Sequence, residues 1–204
     1  MEQVNQQLYV VSEAGGGFTF TKYSPGTTKT LFVIGENYNT EEEVILKEIV
    51  VSAEGKFSLI LQAPPDSVLE EEWYADFPQV SISDKSSKNY ILVLSINDSE
   101  VLAITQPEIN ETETTYKISY NTYTYNYFDK DCTANGTSTI TDDETGEKTT
   151  VTFNNCTFKK GWNLVKVATI IEYSEEAGSS NKQTISIASE IPSAAKWVIG
   201  FDIF

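Results

Sequence analysis

Apolar and polar residues alternate with a period of two along most of this chain, and few folds accept that pattern. Successive side chains of a strand point to opposite faces, so the alternation buries one face of a sheet and wets the other. Phe18 to Thr21 alternates, Leu31 to Gly35 is apolar, and Val44 to Ser52 is a β-branched run. Glu54-Gly55 turns into Lys56 to Leu61, which alternates again. Val80 to Ile82 follows, then Tyr90 to Ile96 and Val101 to Ile104 on either side of Asn97-Asp98, a two-residue hairpin signal. Asp129-Lys130 turns into a strand at Cys132, and Asn135-Gly136 reads as a bulge. Asp143 to Gly146 reads as a type I turn and Lys159 to Gly161 as another, leading into Trp162 to Tyr173. Glu175 to Asn181 is a polar loop, followed by strands at Thr184 to Ile187 and Trp197 to Phe204; the last puts Trp197, Ile199, Phe201 and Ile203 on one face.

Two places depart from plain alternation. Tyr116 to Tyr120 carries its large residues on even positions and Tyr123 to Tyr127 on odd ones, which predicts a bulge or bend near Asn121-Thr122. Pro64-Pro65 ends a strand, because proline cannot donate to a ladder. The one helix expected follows it, with Asp66 as N-cap and Ser67 to Ala75 as body. About a dozen strands with turn signals between them describe an all-β fold, an antiparallel β-sandwich or two small ones, with at most one short helix. A break between two units, residues 1–65 and 66–204, falls at these prolines; the alternative is one continuous domain.

Composition narrows function by exclusion. The chain has no histidine and no arginine; 14 lysines face 30 Asp and Glu, for a net charge of −16. Without histidine there is no Ser-His-Asp or Cys-His arrangement and no histidine metal site. Without arginine, and with this charge, nucleic acid is not an expected partner, since binding it needs a dense basic patch. An anionic membrane surface repels the chain for the same reason. Carboxylate chemistry remains open, but nothing marks a catalytic pair, so no enzyme activity and no cofactor is expected.

Two features bear on compartment, the first residues and the two cysteines. Met1 to Gln7 has no basic and no apolar region, so it is not a signal peptide. Either the protein is cytoplasmic, or this is a mature form whose export signal has been removed; Thr-, Ser-, Asn- and Tyr-rich strands favour the second. Pairing outward from Asp143–Gly146 brings Cys132 and Cys156 nearly opposite each other at the same parity. A disulfide there would contribute about 3.5 kcal/mol by chain entropy and place the protein outside the cytoplasm. The rival reading is two reduced, packed thiols.

Two stretches carry a resemblance. Leu31 to Gly35, with Val51 to Leu59 running to Pro64-Pro65, resembles the transthyretin-like or carboxypeptidase-regulatory type of β-sandwich, where a Gly-Lys-Phe-Ser turn opens a strand. Tyr127 to Thr137, with Phe158 to Val165, is similar to uncharacterised envelope lipoproteins of Bacteroidetes and spirochaetes. The resemblance implies an exported, lipid-anchored protein and supplies no catalytic residue. The lipobox cysteine of such proteins is absent here, so a lipid anchor would lie outside these 204 residues.

The candidate binding residues are aromatic. Sugars stack on aromatic faces and bond to amides and carboxylates. Trp73-Tyr74 after three glutamates, the ladder Tyr123, Tyr125 and Tyr127, and Trp162-Asn163 beside a turn fit that chemistry. The other reading is that these rings fill a core. Acidic clusters at Glu41 to Glu43, Glu70 to Glu72 and Asp142 to Glu144 read as solvated turns before calcium sites; Asp129 to Thr133 has the early spacing of a calcium loop but Ile140 at its last position. The expectation is an extracytoplasmic envelope protein acting as a structural, adhesion or interaction module, its partner a cell-surface protein or a polysaccharide; the alternative is a glycan-binding surface lipoprotein.

Overall fold

The alternation is realised most plainly at Lys56–Ile60, where Phe57 and Leu59 are buried between exposed Lys56, Ser58 and Ile60. A computed structural model describes residues 2–14, 17–37, 40, 42–141, 147–174 and 178–201. Its strands, in chain order, are β1 (Glu2–Ala14), β2 (Gly17–Lys22), β3 (Lys29–Asn37), β4 (Glu42–Val51), β5 (Lys56–Ile60), β6 (Ser81–Ile82), β7 (Asn89–Ile91), β8 (Val93–Ile96), β9 (Ser99–Ile104), β10 (Glu108–Glu111), β11 (Thr115–Phe128), β12 (Cys132–Thr141), β13 (Lys148–Phe158), β14 (Gly161–Ser174), β15 (Gly178–Ile187) and β16 (Lys196–Ile199). The fold is all-β.

Two cores divide these strands. The first lies inside a curled run of neighbours, β4-β3-β8-β9-β16-β1-β5. Leu8, Leu31, Val51, Leu59, Val68 and Ile96 are its most buried members. β1 serves two neighbours in turn. It pairs with β5 as far as Gln7, then with β2 and β16; the register shifts between Gln3 and Gln6, where Asn5 has φ 53°. The second core lies under β11-β14-β15-β13-β12, which bends round until residues 81–91 bridge its ends, β6 pairing with β12 and β7 with β11. Trp73, Phe128, Phe153 and Phe158 fill it.

β11 and β14 form the wall between the cores. Tyr125 and Leu164 sit opposite each other and face the first core, while Phe128 and Val165 face the second. This explains the parity switch in the tyrosine-rich segment and corrects the expected bulge. The β11–β14 register runs unbroken from Thr115↔Ser174 to Phe128↔Gly161. Side chains change the face they bury because the strand passes from one packing environment to another.

Other expectations stand differently. Asn97 and Asp98 both have positive φ and close the β8–β9 hairpin. The Gly136 bulge is present, with Asn155 N–H donating to Asn135 Oδ1 at 3.2 Å. The sheet is mixed, not purely antiparallel, because β1 runs parallel to β16 and β13 parallel to β15. The helix shrinks to a 3₁₀ turn at Asp66–Val68 without a side-chain cap, because Val68 and Leu69 are drawn into the first core. The polar loop is shorter than read, since β15 begins at Gly178. The Asp143–Gly146 turn, Ile203 and Phe204 lie outside the described residues.

The Cys132–Cys156 disulfide is also corrected: both cysteines are free and buried. The bulge at Gly136 displaces the register, so that Cys132 faces Phe158 and Ala134 faces Cys156. The cysteines are therefore diagonal neighbours, about 7–8 Å apart at Cα by sheet geometry and beyond disulfide reach. Cys156 Sγ instead donates to the Ile185 carbonyl at 3.2 Å, and burial pushes its pKa up to about 11.

Candidate functional site

The structure scatters the candidate aromatics. Trp73 sits at the centre of the second core, its ring edge-on to Phe128 at 5.5 Å and Phe158 at 6.1 Å. Its Nε1–H donates to the Ser87 carbonyl at 3.0 Å, so its polar edge is satisfied internally. Tyr123 and Tyr125 are buried in the first core. Asn163 is a turn clamp: Nδ2 donates to the carbonyls of Lys159 (2.7 Å) and Gly161 (2.9 Å), and Oδ1 accepts from Lys159 N–H. None of these four offers a free face to a ligand. Tyr74 is half-buried beside the second core, with Lys85 Nζ 5.2 Å from its ring centre.

The described acidic residues also do structural work. Asp131 accepts from the backbone of Lys160 and from Lys159 Nζ, which holds its carboxyl below the usual range. Asp129 Oδ1 accepts from Lys88 N–H at 2.8 Å, and Glu71 pairs with Lys88. Burial pushes the Glu70 pKa up, with Asp76 and Glu36 adding to the effect. Glu41 and Asp142 to Glu144 lie outside the described residues.

Of the candidates, Trp162 reaches a cavity, with Tyr127 packed against its ring. β4 and β5 leave a common corner at Ser52–Lys56 and then diverge. The corner is bolted: Ser52 N–H donates to Lys56 O (2.8 Å), Gly55 N–H to Ser52 O (2.9 Å), and Leu8 N–H to Gly55 O (2.9 Å). Gln7 Nε2 adds bonds to the carbonyls of Leu8 (2.9 Å) and Glu54 (3.0 Å). Beyond the corner β4 pairs only with β3, and β5 only with β1, among the described residues. The space between them opens into an apolar groove of about 230 Å³ lined by Leu46, Leu61, Pro64, Pro65, Tyr90 and Trp162.

The groove is built from both halves of the chain. Trp162 comes from β14 and donates through Nε1–H to the Gln62 carbonyl at 2.9 Å, which fixes its ring over the β5 exit. Tyr90 and Tyr127 pack edge-on against it at 6.0 and 5.5 Å. Tyr90 Oη donates to the Ile34 carbonyl at 2.6 Å. At the rim, Ile45 is 54% exposed and Ile60 46%. Lys47 spans the gap, Nζ donating to the Ile60 carbonyl at 3.0 Å. An apolar floor, oriented aromatic walls and few polar groups suit the capture of apolar side chains more than bond-making chemistry.

Ile45, Ile60, Lys47 and Tyr90 line the groove without having stood out in the sequence as site residues. A signal was present: Leu59-Ile60-Leu61 and Val44-Ile45-Leu46 break the alternation by placing an apolar residue on the solvent side. No family model, no curated protein and no solved structure matches this chain.

Proposed function

We propose that this protein is a non-catalytic extracytoplasmic envelope protein that works as an interaction module, with the groove between β4 and β5 as its binding surface. The observation that carries the reading is the Trp162 groove flanked by Ile45 and Ile60, large apolar residues left in water beside a formed cavity. Such clustering marks binding sites more often than isolated exposed residues do. The partner is a cell-surface protein. Strand composition supports an extracytoplasmic location; the free thiols no longer add to that argument. The test is surface exchange: Ile45→Ser and Ile60→Ser together abolish binding to protein extracted from the native host's surface while leaving the unfolding transition in place. Unchanged binding by the double variant overturns the proposal.

A glycan-binding reading keeps one supporting observation, the half-exposed Trp162 ring beside Lys47 and Gln62. A glycan array separates the two readings: capture of a polysaccharide that is lost in Trp162→Ala supports it, and no capture removes it.

A further inference from the structure

Among the described residues, two strand corners share one arrangement, and one of them is filled. β13 and β14 meet at Lys159-Lys160 and diverge, and β15 inserts between their far ends, parallel to β13 and antiparallel to β14. β4 and β5 meet at Ser52–Lys56 and diverge in the same way, with no strand between them among the described residues. Resting on the groove reading above, we infer that this second corner accepts an extended segment of another polypeptide as an inserted strand, running parallel to β4 and antiparallel to β5.

The backbone is set for it. Ser52 N–H and Lys56 O bond across the corner, so alternation turns Glu48 and Val50 of β4, and Ser58 and Ile60 of β5, toward the gap. An opposing extended chain would pair with those groups, as in strand addition to an exposed edge. Lys47 occupies one of them by bonding to Ile60 O. It is the side chain a guest must displace.

Charge and shape name the guest. The gap itself carries Glu48 with Lys47 and Lys56, a neighbouring cavity that shares Tyr90 carries Glu36 and Glu43, and the chain as a whole has a net charge of −16. A second copy would bring the same excess of negative charge, so the field disfavours self-association and favours a lysine-bearing segment. The apolar floor requires apolar side chains at alternate positions, one of them seated against Trp162 and Pro64. The guest is thus an extended peptide alternating apolar residues with lysine or threonine.

The probe is a capped peptide of about eight residues alternating valine with lysine and threonine. Added to the full chain, it slows amide exchange at Glu48, Val50, Ser58 and Ile60, and its glutamate-bearing counterpart binds about tenfold more weakly or worse. Val50→Pro removes a gap-facing N–H that makes no ladder bond and weakens binding by about tenfold, whereas Lys47→Ala strengthens it. Binding that is lost in Trp162→Ala but leaves those four amides unprotected and Val50→Pro unaffected overturns strand insertion while leaving the groove a binding surface. No binding to the wild type, or protection of the same amides by a second copy in a dimer, overturns it as well.

Discussion

Replacing Trp73 by alanine should cost about 3–5 kcal/mol of stability, the usual range for a buried tryptophan. The side chain is 7% exposed and contacts Tyr74, Phe128, Phe153 and Phe158. Burying about 230 Å² of such a ring at about 25 cal/mol per Å² gives roughly 6 kcal/mol, an upper figure because unfolded chains are themselves partly compact. The variant also orphans the Ser87 carbonyl, which now accepts from Nε1–H. Trp73→Phe separates the two effects: most of the apolar contact survives and the hydrogen bond is lost, for about 1–2 kcal/mol. Urea unfolding followed by circular dichroism reads both values from the shift in midpoint at constant slope. Trp162→Ala, at a half-buried site, serves as comparator and should cost about 1–2 kcal/mol. If Trp73→Ala costs less than about 1 kcal/mol, Trp73 is not the centre of a packed core and the second-core assignment fails.

Four further outcomes follow from local structure. Thiol titration without reductant should find Cys132 and Cys156 unreactive in the native protein and both free after denaturation; an absence of thiol in denatured protein would mean a disulfide. The same burial raises both cysteines' pKa, so stability should fall as the pH rises above 9 toward 11, where the unfolded thiol ionises and native Cys156 does not; Cys156→Ala reduces the slope in alkaline urea titrations. Glu172 is lowered to about 2 by Lys117 (2.8 Å) and Lys182 (2.7 Å), a contribution present above its ordinary 4.5 and lost as the pH falls toward 2. These groups are largely solvated, so Glu172→Gln should flatten the acid limb of the stability profile by about 1 kcal/mol or less. Gly55→Ala should cost about 3 kcal/mol by urea unfolding, because φ is +77° and a Cβ there meets the Tyr23 carbonyl at 1.9 Å; a neutral variant would show the β4–β5 corner to be loose.

What could be read from the sequence was local. Phe57 and Leu59 announced their strand, and Asn97-Asp98 and Gly136 announced a hairpin and a bulge, because each depends on neighbours a few residues away. Long-range pairing was not legible. β1 passed unnoticed because Gln3, Gln6 and Gln7 blur its alternation; Gln7 is in fact busy with carbonyls at the β4–β5 corner. The parity switch in β11 looked like a bulge because sequence does not tell one buried face from two. The cysteine register failed because a bulge, whose position had been read but whose effect on pairing had not, moves the partner of Cys132 one residue further along, to Phe158. For the site, Trp162 and Tyr127 were named, but Ile45 and Ile60 only acquire meaning once their strands are seen to diverge.

The central claim is that the β4–β5 groove is where this protein meets its partner. Amide hydrogen exchange of the full chain, with and without protein extracted from the native host's surface, tests it directly. The account predicts new protection concentrated in Glu42–Val51, Lys56–Ile60 and the backbone around Trp162. Protection confined to the β12–β13 side, with the groove exchanging as before, would contradict it.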